Sequence, residues 1–133
     1  MSDRYEFLPR ESFGGVKFGT DRAIVRETFG EYKEFKKSEF SINTTDEFSI
    51  LHAYYDAENK LEAMEVFAES VSYNGIRLFP ASKSEFTNAL HKWGIEFSVS
   101  YGSIISEGLG ISAYVPDENE IECVLLYRSG YYR

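Results

Sequence analysis

The chain is written twice, and this self-similarity constrains its fold more than any other feature. Ala53 to Phe67 reads AYYDAENKLEAMEVF, and about sixty positions later Ala113 to Tyr127 reads AYVPDENEIECVLLY. Without gaps, Ala53, Tyr54, Glu58, Asn59 and Glu62 recur as Ala113, Tyr114, Glu118, Asn119 and Glu122. Apolar character recurs at Leu61/Ile121, Ala63/Cys123, Met64/Val124, Val66/Leu126 and Phe67/Tyr127. The same displacement aligns Gly15-Val16-Lys17-Phe18 with Gly75-Ile76-Arg77-Leu78. One inserted residue near Phe79 and Pro80 then sets Val25 against Phe86 and Phe29 against Leu90.

Each copy implies one order of elements. Asp21 is placed to cap a helix carrying Ile24, Val25 and Phe29, with Gly30 as its stop. In the second copy Ser82 and Glu85 form a capping box, Phe86, Leu90 and Trp93 share one face, and Gly94 ends the helix. Strand-like runs follow each helix. They are Phe35 to Ile42, Phe48 to Tyr55 and Leu61 to Phe67, then Ile95 to Tyr101, a stretch near Ile104, Ile111 to Val115 and Ile121 to Tyr127. The last two strands of each copy form a hairpin, turned at Asp56-Ala57-Glu58-Asn59 and at Pro116-Asp117-Glu118-Asn119, where Asn takes a left-handed position. Gly14-Gly15 makes a further turn.

A unit of about 55 to 60 residues is marginal alone, so two copies must share a core. The expected fold is α+β: two similar helix-plus-antiparallel-strand repeats, at about 13–70 and 73–128, packed into one compact domain over 1–133 with a continuous sheet as one option. The segment Ala68 to Asn74 reads as a short connection without Pro, Gly or Ser tracts. Tyr131-Tyr132-Arg133 extends the last strand, docks as a tail or frays.

The turn Phe18-Gly19-Thr20-Asp21-Arg22-Ala23-Ile24-Val25, closed by Gly30, resembles the opening of the BamE/SmpA-like module, whose Phe-Gly turn enters a helix followed by antiparallel strands. Two such modules in tandem are the plan of the beta-lactamase inhibitor protein family. The resemblance implies a sheet face presented to a target enzyme. The second copy departs from it at Leu78-Phe79-Pro80-Ala81-Ser82, where the Phe-Gly turn is lost. The chain also looks similar to small acidic immunity proteins of bacterial toxin systems in size, acidity and opening motif.

Composition bounds the function. Against 14 Lys plus Arg stand 22 Asp plus Glu, a formal net charge of -8, so nucleic acid and anionic membranes are repelled on average. The N-terminal MSDRYEFLPRES has no apolar run of the length a signal peptide needs, and one cysteine, Cys123, excludes a disulfide framework within the chain; both point to the cytoplasm. The two histidines, His52 and His91, lack neighbours at metal-ligand spacing. The acidic turns lack the alternating ligands and central glycine of a calcium loop, and no phosphate loop or nucleophile elbow is present. No catalytic residue, metal or cofactor is therefore expected.

A protein partner has more support. Aromatic residues make up 17% of the chain, and tyrosine offers contact area with few rotors and a hydroxyl for bonding. The candidate partner-binding set is Asp46, Glu47, Tyr54, Tyr55, Asp56, Glu58, Glu65, Tyr101, Tyr114, Asp117 and Glu118, with Tyr127 suited to the same role. Lys33, Lys36 and Lys37 read as a strand-edge guard. The leading expectation is an immunity or inhibitor protein that occludes the active site of a cognate basic, nuclease-type toxin. The alternatives are an adaptor or assembly factor using the same face, and a small hydrolase.

Overall fold

The computed structural model describes residues 5–67, 71–73, 76–77, 83–100, 102–116 and 121–128. The chain opens with β1 (Tyr5–Leu8), β2 (Ser12–Phe13) and β3 (Val16–Lys17), then α1 (Arg22–Phe29), β4 (Lys33–Phe35), β5 (Thr45–Glu47), β6 (Leu51–Tyr55) and β7 (Leu61–Val66). It continues with β8 (Val71–Tyr73), β9 (Ile76–Arg77), α2 (Lys83–Lys92), β10 (Ser98–Ser100), β11 (Ser103–Ser106), β12 (Ile111–Tyr114) and β13 (Cys123–Tyr127).

Two sheets result. The larger has eight strands in the order β10-β11-β12-β13-β7-β6-β5-β4, and every pairing in it is antiparallel. It is two four-stranded meanders, one from each half, meeting where Val124 lies opposite Val66 and Leu126 opposite Met64. The smaller has the order β3-β2-β1-β8-β9. Gly14 and Gly15 turn β2 into β3 at φ 61° and 82°, a two-residue hairpin that needs left-handed backbone at both positions.

This overturns the expectation of an α+β fold built of helix-plus-strand repeats. The chain is mostly β, with helices of only eight and ten residues among those described. Residues 5–17, which fell outside the strand assignments, form β1 to β3. The supposed connection Ala68 to Asn74 contains β8, whose Val71 pairs in parallel with Tyr5. Both runs are short, and a short strand has too few alternations to show its period. Phe35 to Ile42 is likewise not one strand: it leaves the sheet after Phe35.

The large sheet has one covered face and one that is open only in part, since Thr45, Ala63 and Tyr127, in register with Tyr54 on the second face, are buried. Reading across the strands, Asp46, Ala53, Met64, Leu126, Ile111 and Ser106 stand opposite one another in register, and all are fully buried. The neighbouring row points the other way and runs Glu47, His52, Glu65, Leu125, Ser112, Ile105 and Ser98, each half-buried or exposed. One core cluster joins the covered face to Val25 of α1, Phe86 and Leu90 of α2, and Phe7 and Phe13 of the small sheet. Burying each of the two α2 side chains is worth about 1.5–3 kcal/mol. Ile24, expected on the buried side of α1, is exposed; Arg22 is buried in its place.

The helix ends are built differently from the sequence expectation in one respect. Asp21 is the N-cap residue of α1, but its carboxylate makes no cap hydrogen bond and pairs with Lys60 instead. Gly30 and Gly94 close the helices at φ 89° and 69°. Ser82, the start of the expected capping box, lies outside the described residues. Among those residues no helix is long and apolar enough to cross a membrane.

Candidate functional site

The open face of the first meander centres on Glu65. Tyr54 Oη donates to Glu65 Oε1 at 2.9 Å and accepts from Lys37 Nζ at 3.2 Å, and the ammonium sits 4.5 Å from the tyrosine ring centre. Cys123 Sγ donates to Glu65 Oε2 at 3.7 Å. His52 lies between two carboxylates, with Nδ1 at 3.7 Å from Glu65 and Nε2 at 3.9 Å from Glu47. Its ring meets Phe35 and Phe67 edge to face, at 5.5 and 5.0 Å. The register of β6 against β7 makes this grouping, because it sets His52 opposite Glu65 across the central strands.

This cluster is poorly arranged for thiol chemistry. Burial pushes the Cys123 thiol up to about 12, and the Glu65 carboxylate beside it raises it further because a thiolate there would face a negative charge. The proton is shared with a carboxylate rather than with an imidazole. Cys123 is accordingly expected to react with a thiol reagent at pH 8 at least about a hundredfold more slowly than free cysteine, and Glu65→Gln to accelerate it. Stopped-flow absorbance with a disulfide reagent on the folded protein measures both.

Beside this face rises the loop between β4 and β5. Phe40 and Ile42 stand on it 86% and 83% exposed, the extremes among the large apolar side chains described. Its tip is a turn closed by serines: Ser41 N–H donates to the Ser38 carbonyl at 3.1 Å, Ser38 N–H to Ser41 Oγ at 3.1 Å, and Phe40 N–H to Ser38 Oγ at 3.2 Å. Both feet are tied down. Lys37 is held by Tyr54, while Asn43 Nδ2 donates to the Asp56 carbonyl at 2.9 Å and to Asn59 Oδ1 at 2.7 Å. A cleft of about 300 Å³ runs between the loop and the sheet, bounded by Phe40, Ile42, Thr45, Tyr54 and Glu62 among others.

A buried ion network sets the loop in place. Asp46 is completely buried and accepts five hydrogen bonds: from Arg26 Nε and Nη2 at 2.7 and 2.9 Å, from Arg22 Nη2 and Nε at 2.9 and 3.3 Å, and from Tyr55 Oη at 2.9 Å. Arg22 continues to Asn43 Oδ1 at 3.1 Å and to Thr44 Oγ1 at 2.8 Å, and its guanidinium lies 4.3 Å over the Tyr55 ring. Burial alone would raise the Asp46 carboxyl, but the hydrogen bonds from Arg26, Arg22 and Tyr55 outweigh it and hold the group at about 2. Burial, followed by the Asp46 charge, raises Tyr55, so its phenol stays protonated.

The acid limb of stability follows. Because the folded value lies below the ordinary 3.8, the contribution of Asp46 is complete above that value and is lost as pH falls through about 2. A separation of nearly two pH units corresponds to roughly 2–3 kcal/mol. Chemical denaturation at pH 6, 4, 3 and 2 is expected to show that loss below pH 4, and a Tyr55→Phe variant to begin losing it at higher pH.

The expected binding residues thus divide. Glu47, Tyr54, Glu65 and Tyr114 lie on the open face. Asp46 and Tyr55 belong to the buried network, and Tyr127 is buried as well, so none of the three is presented to a partner. Asp56 is consumed by its own turn, accepting from the Glu58 and Lys60 N–H groups at 2.9 and 3.0 Å and pairing with Arg128 at 3.2 Å. Glu58 is exposed on that turn, where Asn59 takes φ 62°. Tyr101, Asp117 and Glu118 lie outside the described residues.

The sequence reading missed Phe40, Ile42 and Arg22. Phe40-Ser41-Ile42 alternates like a strand, and only the pair Ser38 and Ser41, followed by Asn43, signals a turn. Among the described residues no group of three or more His, Cys, Asp or Glu could hold a metal ion. No family model, curated protein or solved structure matches the chain.

Proposed function

We propose that the chain is a non-enzymatic protein-binding module acting in the cytoplasm as an immunity or inhibitor protein, which covers the active site of a cognate basic, nuclease-type toxin. The observation that carries this reading is the pinned loop with Phe40 and Ile42 standing in solvent. Two large apolar side chains held there by hydrogen bonds cost the fold solvation and contribute nothing to its core. A partner's cleft would return that energy, with little loop ordering left to do on binding.

Charge supports the choice of partner. Glu39, Glu47 and Glu58 are exposed on and around the loop against the exposed Lys36, the net charge is -8, and the Lys37 ammonium is directed onto the Tyr54 ring. An enzyme that grips phosphate has a cationic cleft, and this surface attracts one. The buried, unpaired Cys123 suits a reducing compartment.

Co-expression tests the reading. The reading expects a toxin gene beside this one, and cells making that toxin should survive when this chain is present and die when it is absent. Survival that is unchanged by deleting the chain would overturn it.

A further inference from the structure

Among the described residues the large sheet ends in two unlike edges. β4 carries Lys33 and Glu34, charges that discourage a further strand, and the small sheet ends in β3 and β9, two residues each with Lys17 and Arg77. β10 is Ser98-Val99-Ser100, without charge or proline, and all three residues are exposed, Val99 at 50%. Two clefts adjoin the chain entering it. One of about 530 Å³ lies between the end of α2 and this segment, lined by His91, Gly94, Ile95, Glu96 and Phe97. The other, about 230 Å³, lies between the segment and the turn after β11, lined by Glu96, Phe97, Ser98, Ile105, Glu107 and Gly108.

We infer that β10 is an acceptor edge for an added strand, supplied by an extended, basic segment of another protein. An open edge offers unpaired N–H and C=O groups to any extended chain, and side pockets confer the selectivity. Successive side chains of an added strand point to opposite faces, so neighbouring residues reach the two clefts. The smaller cleft has two carboxylates, Glu96 and Glu107, and neither is ion-paired among the described residues, so it selects a lysine or arginine. A second copy of this chain fits less well, because Ile95 to Ser100 contains no cation to offer Glu96 and Glu107. This edge belongs to the second meander and is distinct from the Phe40 loop.

The probe is a synthetic peptide of about ten residues, one strand's reach, alternating lysine with valine and threonine. Two controls carry glutamate in place of lysine, or methyl groups on alternate backbone nitrogens. The lysine peptide is expected to slow amide exchange within Ser98–Ser100, and both controls to bind at least about tenfold more weakly. Val99→Lys and Glu107→Gln should each weaken the lysine peptide by about tenfold, with circular dichroism confirming the fold, while Phe40→Ser should leave its affinity unchanged. Equal binding of the glutamate or N-methylated peptide would overturn the inference. So would slowed exchange at these amides that appears without peptide and grows with protein concentration, since a second copy would then be the occupant.

Discussion

Replacing Asp46 by asparagine is expected to lower the unfolding free energy at pH 7 by about 3–5 kcal/mol, the usual cost of removing one partner from a buried ion pair. The carboxylate is fully buried and accepts from two guanidinium groups, of which Arg22 is itself buried. An amide keeps the size but loses the charge, and turns one acceptor into a donor facing two cations. Domains of this size are stable by about 5–15 kcal/mol, so the variant sits near the edge of folding at 37 °C. Glu34→Gln is the contrast. Glu34 also meets Arg22 and Arg26, at 3.8 and 3.1 Å, but its side chain is 48% exposed. Its loss should shift the unfolding midpoint far less, because a solvent-exposed ion pair is screened by water and salt.

Urea unfolding of both variants measures the difference: the midpoint should fall with the slope unchanged. Equal, small losses would mean that the network is not what holds α1 to the sheet. The loop gives a second readout. Arg22 ties Asp46 to Asn43 and Thr44, so the amides of 38–44 should exchange faster in Asp46→Asn well before global unfolding.

What could be read from the sequence follows physical lines. The hairpins β6–β7 and β12–β13 were legible because they are long enough to alternate and because the second copy repeats them. The turn between β6 and β7 was legible because Asp56 and Asn59 carry their own local bonding. The short strands β1 to β3, β8 and β9 were not, since pairing such as Tyr5 with Val71 is set by tertiary contact across the chain. Asp46 looked like a surface charge because an acidic residue flanked by Thr45 and Glu47 usually is one. Its burial depends on arginines that lie twenty residues or more away in sequence, at Arg26 and Arg22. Arg22 and Arg26 sit at i and i+4 on α1, so they share a face. That face reads as polar unless a buried carboxylate is known to await it. The open face was legible only in part for the same reason: alternation along β6 and β7 separates the two faces, but nothing local says which one is covered.

Removing the two exposed apolar side chains, Phe40→Ser with Ile42→Ser, is expected to leave stability within about 0.5 kcal/mol of the parent and to weaken partner binding by a hundredfold or more, about 3 kcal/mol or above. The first half follows from exposure: neither side chain packs in the core, and the serine turn that shapes the loop is built by Ser38 and Ser41. The second follows from how interfaces distribute energy. A few anchors entering a desolvated pocket carry most of it, and truncating one aromatic anchor typically costs 2 kcal/mol or more. Charge reversal at Glu47 and Glu58 should act differently, slowing association and flattening its salt dependence while leaving dissociation nearly unchanged. Surface plasmon resonance against a catalytically inactive form of the proposed toxin partner, at two salt concentrations, separates the two effects. The loop variant should raise the off-rate and the charge variant lower the on-rate. If the loop variant binds as the parent does, the anchor role of Phe40 and Ile42 is wrong, and the open face around Glu65 and Tyr54 would have to carry the interface alone.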